Sequence, residues 1–489
     1  MIFVKNKQYV SLVLLTALLL GSVSCNSSNT PSAGNDTGTT ASDTTAEVVD
    51  PYPDDLPDDL RFDGETFDIF GYKGSNLYET LGKNYYYLAV DEENGDVVND
   101  AAYKRTKEVE ERFGINVVMY ESDDEYGTSY NVQQAVLADD KLYDLVFPFV
   151  TEDLTGLLTE NIMYDINQLE YVDLTKDYYN RDAIETYAVG DSVYLIAGTY
   201  PHPQFVSTPL LFNKEAWADY KLEDPYELVR SGQWTHDKYL SLIKDTYRDL
   251  NGNNERDGKD FFGLSTFSIV PMYLYPAYGG TTVTPTDDGF EYGYGSELAV
   301  KIVEKIVGLA ENPDAFYVNE WTPFFSGNSL TCIYASGIPA LRDLQFDFGI
   351  LPLPKLDENQ ENYMSFFTGG VMYVPSNVED PEMTGAIIEA LFSTSSKYMP
   401  EALEEHYIEG KLLNSDDDIE MYRLMTSSEN AVYDFTRFFD PTGGKLKNFQ
   451  LISELITAKS INISSSWAAL EEISKNAFDG LFEKVAGNQ

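Results

Sequence analysis

Two continuous apolar runs lie close together between residues 341 and 376, in LRDLQFDFGILPLPKLDENQENYMSFFTGGVMYVPS. The first covers Phe348 to Leu353 and the second covers Phe366 to Val374. Runs of this length, bounded by proline and glycine, are typical of strands buried on both faces of a mostly parallel sheet. Pro352 and Pro354 lack the N–H that a strand ladder needs, so the pattern predicts that the chain leaves one sheet there and enters another. An ordinary loop within one domain is the alternative.

The rest of the chain alternates between strand-like and helical patterns. Strands are predicted at Phe67–Tyr72, Ile115–Tyr120, Tyr143–Phe149, Tyr194–Ala197, Pro209–Phe212, Phe262–Thr266 and Leu330–Tyr334. Helices are predicted at Val97–Phe113, Asn131–Leu137, Glu297–Ala310, Glu382–Phe392 and Trp467–Val485. Such alternation predicts an α/β fold in which doubly wound, mostly parallel sheets are flanked by helices.

Length and composition predict two such sheets in two lobes. With 489 residues, 43% of them apolar, the chain exceeds what one hydrophobic core usually serves. The proline-rich TYPHPQFVST predicts the first of three crossings between the lobes. The predicted segments are a signal peptide at 1–24, a lipidated cysteine with a disordered tether at 25–62, first parts of lobe 1 at 63–202 and of lobe 2 at 203–347, a return to lobe 1 at 348–396, and C-terminal helices of lobe 2 at 397–489.

The amino end has the pattern of a targeting segment. Lys5 and Lys7 precede an apolar core from Val10 to Leu20, which is too short to span a bilayer as a stable helix. Small residues then lead to Cys25, an arrangement that resembles the bacterial lipoprotein signal and implies diacylation of this cysteine. Ser22 stands where that signal has leucine, which leaves ordinary cleavage and release as the alternative. Lipidation would hold the protein at the outer face of a bacterial cell membrane.

Charge excludes some partners. The chain has 33 basic and 81 acidic residues and a formal charge of −48. Such a body repels nucleic-acid phosphates and anionic lipid headgroups, so we exclude both as partners. The charge also has a plain explanation in solubility. The second cysteine, Cys332, lies in an apolar run and is predicted to be a buried, unpaired thiol, so no disulfide framework is expected.

Several segments resemble a known family. These are VVNDAAYKRTKEVEERFGINV, DPYELVRSGQWTHDKY, DLNGNNERDGKDFFGL and LRDLQFDFGILPLPKLDENQENYMS, in this order and behind a lipoprotein-type start. They resemble the extracellular solute-binding proteins of family 1, which serve ABC importers of sugars, over roughly residues 65–480. The resemblance implies a monomer with the two-lobed type II periplasmic-binding fold, a carbohydrate or other polar solute held between the lobes, and the transmembrane subunits of an ABC permease as partner.

Candidate ligand-binding residues follow from the rule that open α/β sheets bind ligands at the carboxyl ends of their strands. Aromatic rings offer platforms for the apolar faces of sugar rings, while polar groups hydrogen-bond the hydroxyls. For each aromatic candidate the alternative is core packing, since the chain has 36 tyrosines and 27 phenylalanines. The candidates are Tyr72, Phe149, Asp153, His202, Tyr273, Tyr275, Trp321, Tyr334, Ser336, Phe366 and Phe367. The remaining tryptophans, Trp217, Trp234 and Trp467, are interpreted as helix-packing residues, and His236 as a surface residue at a helix start.

Enzymatic chemistry has little support in the sequence. The chain has three histidines, no G-x-S-x-G elbow, no phosphate-binding G-x-x-x-x-G-K-[ST] loop and no histidine pair at zinc spacing. A glycosidase needs only two carboxylates, so a secreted carbohydrate-active enzyme is an alternative function. A surface adhesin without a transport role is another. Hydrolysis of a bound glycan distinguishes the enzyme, and ligand-dependent closure distinguishes a transport protein from an adhesin.

The loop DLNGNNERDGKD has the spacing of a calcium-binding loop. Its oxygen-bearing residues stand at positions 1, 3, 5, 7, 9 and 12, with the backbone carbonyl used at position 7: Asp249, Asn251, Asn253, Glu255, Asp257 and Asp260. Asn254 replaces the usual turn glycine and Asp260 replaces the usual glutamate. The sequence predicts a structural Ca²⁺ ion here, and a solvated acidic turn is the alternative.

Overall fold

The computed structural model describes residues 51–72, 87–123, 126–201, 208–267, 273–286, 289–312, 315–318, 321–334, 341, 344–367, 369–413 and 415–487. Its strands are β1 Thr66–Gly71, β2 Asn116–Glu121, β3 Leu145–Phe147, β4 Leu210–Asn213, β5 Phe262–Thr266, β6 Val283–Thr286, β7 Gly289–Tyr292, β8 Phe316–Val318, β9 Ser329–Ile333, β10 Phe348–Leu351, β11 Ser365–Phe366 and β12 Ala431–Val432. Its α-helices are α1 Val97–Phe113, α2 Thr128–Leu137, α3 Thr155–Thr159, α4 Arg181–Tyr187, α5 Lys214–Asp219, α6 Pro225–Arg230, α7 His236–Ile243, α8 Leu274–Ala277, α9 Glu297–Ala310, α10 Thr322–Phe325, α11 Pro381–Pro400, α12 Asp416–Thr426, α13 Gln450–Thr457 and α14 Ile463–Gly487. A π-helix covers Glu401–Leu412.

Lobe 1 is built on a fully parallel three-stranded sheet in the order β2-β1-β3. Phe67 of β1 pairs with Val117 of β2, and Phe70 pairs with Val146 of β3. Inward-facing residues of these strands form one hydrophobic core with α11. Parallel strands need helical crossovers between them, and α1 and α2 supply these. The predicted strand–helix–strand pattern is therefore confirmed in this lobe.

Helix α1 begins and ends where the sequence predicts. The side chain of Asp96 accepts hydrogen bonds from the backbone N–H groups of Val98 (3.0 Å) and Asn99 (3.1 Å), which have no partner inside the helix. Gly114 ends the helix with a φ of 72°, and its N–H donates to the carbonyl of Glu110 at 2.8 Å. Glycine adopts this left-handed conformation without strain, so the helix terminus is encoded locally.

Lobe 2 contains a mixed five-stranded sheet in the order β10-β4-β9-β5-β8. Strands β5, β8 and β9 are parallel, whereas β4 is antiparallel to both β9 and β10. The α/β class is confirmed, and the antiparallel pair at one side of this sheet is the part that apolar runs did not predict. Helices α9 and α13 pack on this lobe through their buried residues.

The return of the chain to lobe 1 begins later than residue 348. Phe348 pairs with Asn213 of β4, so β10 belongs to lobe 2. The pairing of β10 with β4 ends at Leu351, and the carbonyl of Pro352 accepts from the indole N–H of Trp234 at 2.9 Å. Beyond the second proline, Lys355 forms an isolated parallel bridge with Thr235. The chain reaches lobe 1 at Met372 and Tyr373, which form antiparallel bridges with Ile196 and Val146. The proline pair ends the strand as predicted, but the sheet change needs about twenty residues more.

Two predicted strands are shorter or absent in the structure. Among the described residues of the second apolar run, Phe366 belongs to β11, which pairs with β12, while Met372 and Tyr373 form isolated bridges. The segment Tyr194–Ala197, which is fully described, forms no strand and contributes a bridge from Ile196. Both segments are buried, which explains their apolar sequence without a ladder.

Several single-residue expectations have clear outcomes. Trp217, Trp234 and Trp467 are buried, as predicted. His236 does begin α7, but it is buried and its Nδ1 lies 2.8 Å from the Tyr278 hydroxyl. The interpretation of His236 as a surface residue was therefore wrong, and its burial lowers the pKa of the imidazole to about 4. Cys332 is a buried free thiol, as predicted. Within the described part of the chain no helix is both long and apolar enough to cross a membrane.

Candidate functional site

An aromatic group lies at the carboxyl ends of β1 and β3 in lobe 1. Tyr72 follows β1, and its ring stacks on Phe147 at 5.9 Å and meets Phe149 edge-on at 5.0 Å. Phe149 is half-buried and also meets Tyr126 edge-on at 5.1 Å between ring centroids. Adjacent parallel strands end at the same edge, which brings these rings together. Tyr130, in the first turn of α2, lines a cavity together with Tyr126. We call Tyr72, Tyr126, Tyr130 and Phe149 the lobe 1 platform.

Glu152 fixes this edge. Its carboxylate accepts from the N–H of Phe149 at 3.0 Å and from the N–H of Ser129 at 3.1 Å, so the end of β3 is tied to the start of α2. Burial raises the pKa of Glu152, against the lowering effect of these hydrogen bonds. Because both oxygens are engaged, Glu152 acts as a fixed support for the platform.

A cavity of about 540 Å³ opens beside the platform. Lys447 and Asn448 line one side of it. The other side is lined by residues of lobe 1: Tyr126, Ser129, Tyr130, Gln133, Thr151, Glu152, Asp153, Gly156 and Leu157. Tyr126 and Tyr130 are 63% and 64% exposed, so their rings are available to a ligand. The volume falls in the range of small-molecule binding sites. The cavity therefore joins lobe 1 to the segment that precedes α13.

The opposite wall has an unusual backbone. Asn448 and Phe449 are consecutive non-glycine residues in the left-handed region, with φ values of 51° and 57°. Such conformations cost free energy and occur most often at functional sites. Arg437 donates from Nη1 to the Asn448 side-chain oxygen at 2.6 Å, and the Phe449 ring packs 5.1 Å from Phe366. These two contacts hold the segment in place.

Two further aromatic groups follow the strands of lobe 2. The first surrounds Trp321, whose ring meets Tyr334 edge-on at 4.8 Å and lies 5.7 Å from Phe267. Phe267 follows β5 and is 40% exposed. The second surrounds Phe366, with Tyr273 at 5.8 Å and the Arg437 guanidinium 5.8 Å from its ring centroid. The strand-end rule thus accounts for the first group, at the ends of β5 and β9, whereas Phe366 of the second group lies in the separate sheet formed by β11 and β12.

The structure sorts the predicted site residues into three sets. Asp153 lines the cavity, and Phe149, Tyr273 and Trp321 are half-buried at strand or helix ends, where a ligand has access to them. A second set is buried: Tyr72, Tyr275, Tyr334, Phe366 and Phe367. Tyr275 and Phe367 are fully buried, so their interpretation as ligand platforms is corrected to core packing. His202 and Ser336, like Cys25, lie outside the described residues.

Sequence reasoning missed Tyr126, Tyr130, Lys447 and Asn448. Tyr126 precedes α2 and Tyr130 lies in its first turn, and both stand in the polar stretch ESDDEYGTSY. Aromatic residues in so polar a stretch were a usable signal. No comparable signal marks Lys447 and Asn448. Asparagine tolerates the left-handed region, but Phe449, which follows it in the same conformation, is a residue that rarely adopts it.

The loop predicted to bind calcium is folded on itself. Asp249 accepts from the N–H groups of Gly252 (2.7 Å) and Asn254 (2.9 Å), and Asp257 accepts from the Asn253 amide at 3.0 Å. Asp260 is buried and accepts from the Tyr247 hydroxyl at 3.0 Å. Within the described residues, no group of three or more His, Cys, Asp or Glu side chains is arranged to hold a metal ion. Calcium binding therefore stays a prediction.

Comparison with solved structures identifies the fold. UgpB from Mycobacterium tuberculosis, solved with glycerophosphocholine, superposes with a TM-score of 0.54 at 13% identity, over 85% of this chain and 98% of that one. The cyclic α-maltosyl-1,6-maltose binding protein from Arthrobacter globiformis gives a TM-score of 0.54 at 12% identity, over the same shares of both chains. The chain has the solute-binding-protein fold.

The galacto-N-biose/lacto-N-biose I-binding protein of an ABC transporter from Bifidobacterium longum, solved with lacto-N-biose, has the same fold. Its TM-score is 0.53 at 11% identity, over 86% of this chain and 98% of that one. No family model matches the sequence, and no curated protein matches it. The predicted type II periplasmic-binding fold is confirmed, while at this identity the likeness carries the fold alone.

Proposed function

We propose that this protein is the extracellular solute-binding component of an ABC importer and that it captures a carbohydrate, an oligosaccharide in particular, for delivery to the permease. The observation that carries the proposal is the cavity between the lobe 1 platform and the Lys447–Asn448 wall. Exposed tyrosine rings suit the apolar faces of sugars, while Asp153 and Asn448 suit their hydroxyls. The solved proteins with this fold include sugar-binding components of transporters, which supports the same assignment.

The proposed mechanism is capture by closure. A solute that contacts both walls of the cavity binds the closed arrangement better than the open one, and this difference in affinity shifts the population toward closure. The permease would then recognise the closed form. This mechanism requires the protein to desolvate the solute and to form hydrogen bonds with it, and it requires no reacting group.

A calorimetric screen of neutral and acidic oligosaccharides, combined with small-angle scattering, tests this function. We expect at least one saccharide to bind and to reduce the radius of gyration. Release of hydrolysis products would support the alternative of a carbohydrate-active enzyme, and binding without a change in radius would support an adhesin. Absence of binding across the panel would contradict the proposal.

We also propose that Cys25 carries the lipid anchor that keeps this component beside its permease at the outer face of the cell membrane. The support is the lone cysteine directly after small residues and an apolar core. A diacyl anchor supplies the two hydrophobic chains that stable attachment requires. Incorporation of a labelled fatty acid into the chain tests the anchor.

We propose a structural Ca²⁺ ion in the 249–260 loop as well. The support is the spacing of Asp249, Asn251, Asn253 and Asp257 along the loop, which matches positions 1, 3, 5 and 9 of a calcium-binding loop. Calcium binding to the folded state would raise the melting temperature, because a ligand that binds only the native protein stabilises it. We expect the shift to disappear in Asp249→Ala. Identical melting curves in chelator and in calcium would contradict the site.

A further inference from the structure

Among the described residues that line the cavity beside the lobe 1 platform, Lys447 is the only basic one. It is half-buried, and among the described residues no carboxylate oxygen lies within 4.0 Å of its Nζ, the limit for an ion pair. Buried cations are usually paired with an acid, because charge is costly to remove from water. In a chain of net charge −48, an unpaired ammonium facing a cavity needs an explanation.

Three carboxylates near Lys447 are engaged elsewhere. Glu152 accepts the two backbone N–H groups at the end of β3 described above. Asp153 accepts from the N–H and the hydroxyl of Thr155, at 3.0 and 2.6 Å. Asp440 accepts from the N–H groups of Leu446 (3.0 Å) and of Lys447 itself (2.8 Å). Their negative charge acts on Lys447 only from a distance.

A second cation lies behind the same wall. Arg437 is buried, its Nη1 donates to the Asn448 side-chain oxygen, and its Nε has no hydrogen-bond partner among the described residues. No carboxylate of the described residues forms an ion pair with it. Arg437 is close enough to Lys447 for the two charges to repel. A wall that holds two unpaired cations together is suited to an anion.

We propose that this cavity binds the anionic group of an acidic carbohydrate, a carboxylate or a phosphate ester, through Lys447, with Arg437 holding Asn448 beside it. This inference rests on the proposed function, since it names the class of solute for the same cavity. The lobe 1 platform would hold the sugar ring, and a charge-assisted hydrogen bond from the Lys447 ammonium would fix the acidic substituent. The bound anion would supply the negative charge that the wall lacks.

The proposal predicts a pH dependence. Burial, with a smaller contribution from the charge of Arg437, lowers the pKa of Lys447 to about 8, although the carboxylates of Asp153, Asp440 and Glu152 oppose the shift. An anion binds the protonated amine, so affinity should fall as the pH rises through this value. Between pH 7 and pH 9 the protonated fraction falls from about nine tenths to about one tenth, so we expect about a tenfold loss.

The test is a ligand-observed NMR titration of the purified full chain with glucose, glucuronate, glucose 6-phosphate and inorganic phosphate. At pH 7 we expect glucuronate or glucose 6-phosphate to bind at least tenfold more tightly than glucose. A preference for glucuronate identifies a carboxylate ligand, and a preference for glucose 6-phosphate identifies a phosphate ester. Inorganic phosphate shows whether the anion alone is sufficient.

Three variants make the result specific. Lys447→Met should abolish the preference for the acidic sugars, and Lys445→Met, an exposed lysine of the same loop, should retain it. Lys447→Arg should retain the preference at pH 9, where the native protein loses it, because arginine stays protonated there. This variant also shows that the native loss at pH 9 is not due to unfolding.

Two outcomes separate this inference from the proposed function. Equal affinity for glucose and both acidic sugars, or equal losses in the Lys447 and Lys445 variants, would overturn the anion site and leave neutral carbohydrate binding intact. Binding of inorganic phosphate with no binding of any saccharide would overturn the proposed function while Lys447 stays an anion site.

Discussion

Replacing Phe366 by alanine should destabilise the protein strongly. The side chain is 2% exposed and packs between the rings of Tyr273 and Phe449, at 5.8 and 5.1 Å. Removing a buried phenylalanine ring typically costs about 3–5 kcal/mol, from lost transfer free energy plus the cavity left behind. Phe449 and Asn448 form the left-handed bend of the cavity wall, and Phe449 would lose its contact with Phe366. We therefore expect the cavity wall to become less ordered as well.

Chemical denaturation with urea measures this effect as a lower midpoint at an unchanged slope. Phe267→Ala is the matched control, because Phe267 is 40% exposed and its truncation should cost far less. If Phe366→Ala kept the native midpoint but lost saccharide binding, Phe366 would be a ligand platform, as the sequence first suggested, and the core assignment would be wrong.

An apolar run in the sequence does not indicate whether the aromatic ring at its end faces the core or a cavity. Phe366 and Phe367 were selected because they end a predicted strand, yet both rings are buried, and Phe149 at the end of β3 is half-exposed. Hydrophobic character is the same in both places. Only the positions of the neighbouring elements decide whether a strand-end ring faces the core or a cavity.

Locally encoded features were predicted well. Helix α1 has its exact bounds because Asp96 and Gly114 satisfy its terminal backbone groups through neighbours in sequence. Strand β5 and helix α9 also have the predicted bounds. In each case the signal and the structure it specifies lie within a few residues.

Strand direction was not encoded in this way. Strands β4 and β9 are buried along their full length, so both read as continuous apolar runs whether the pairing is parallel or antiparallel. The segment around Gly370 packs closely against β3, since a Cβ at Gly370 would lie 2.4 Å from the Phe147 ring. Glycine is required there by a close approach between segments more than two hundred residues apart.

Removing both exposed rings of the lobe 1 platform should weaken saccharide binding without unfolding the protein. Tyr126 and Tyr130 line the cavity with more than half of each side chain exposed. By analogy with aromatic pairs, each stacking contact is worth ~1 kcal/mol, so the double variant Tyr126→Ala/Tyr130→Ala should raise Kd about thirtyfold. Because the core is untouched, the urea midpoint should stay close to that of the native protein.

Calorimetry with the tightest saccharide from the screen measures the change in Kd, and two controls identify its cause. Tyr120→Ala removes a ring that is 47% exposed on β2 and does not line the cavity, so it should bind normally. The double variant Tyr126→Phe/Tyr130→Phe keeps both ring faces and removes only the hydroxyls, so most of the affinity should be retained. An equal loss in Tyr120→Ala would mean that the affinity depends on the general surface of lobe 1, and an unchanged Kd in the double variant would place the solute elsewhere.

Because Lys447 lies on the facing wall, loss of the Tyr126 and Tyr130 rings should weaken the binding of neutral and acidic sugars alike, whereas loss of the Lys447 ammonium should weaken the binding of acidic sugars only.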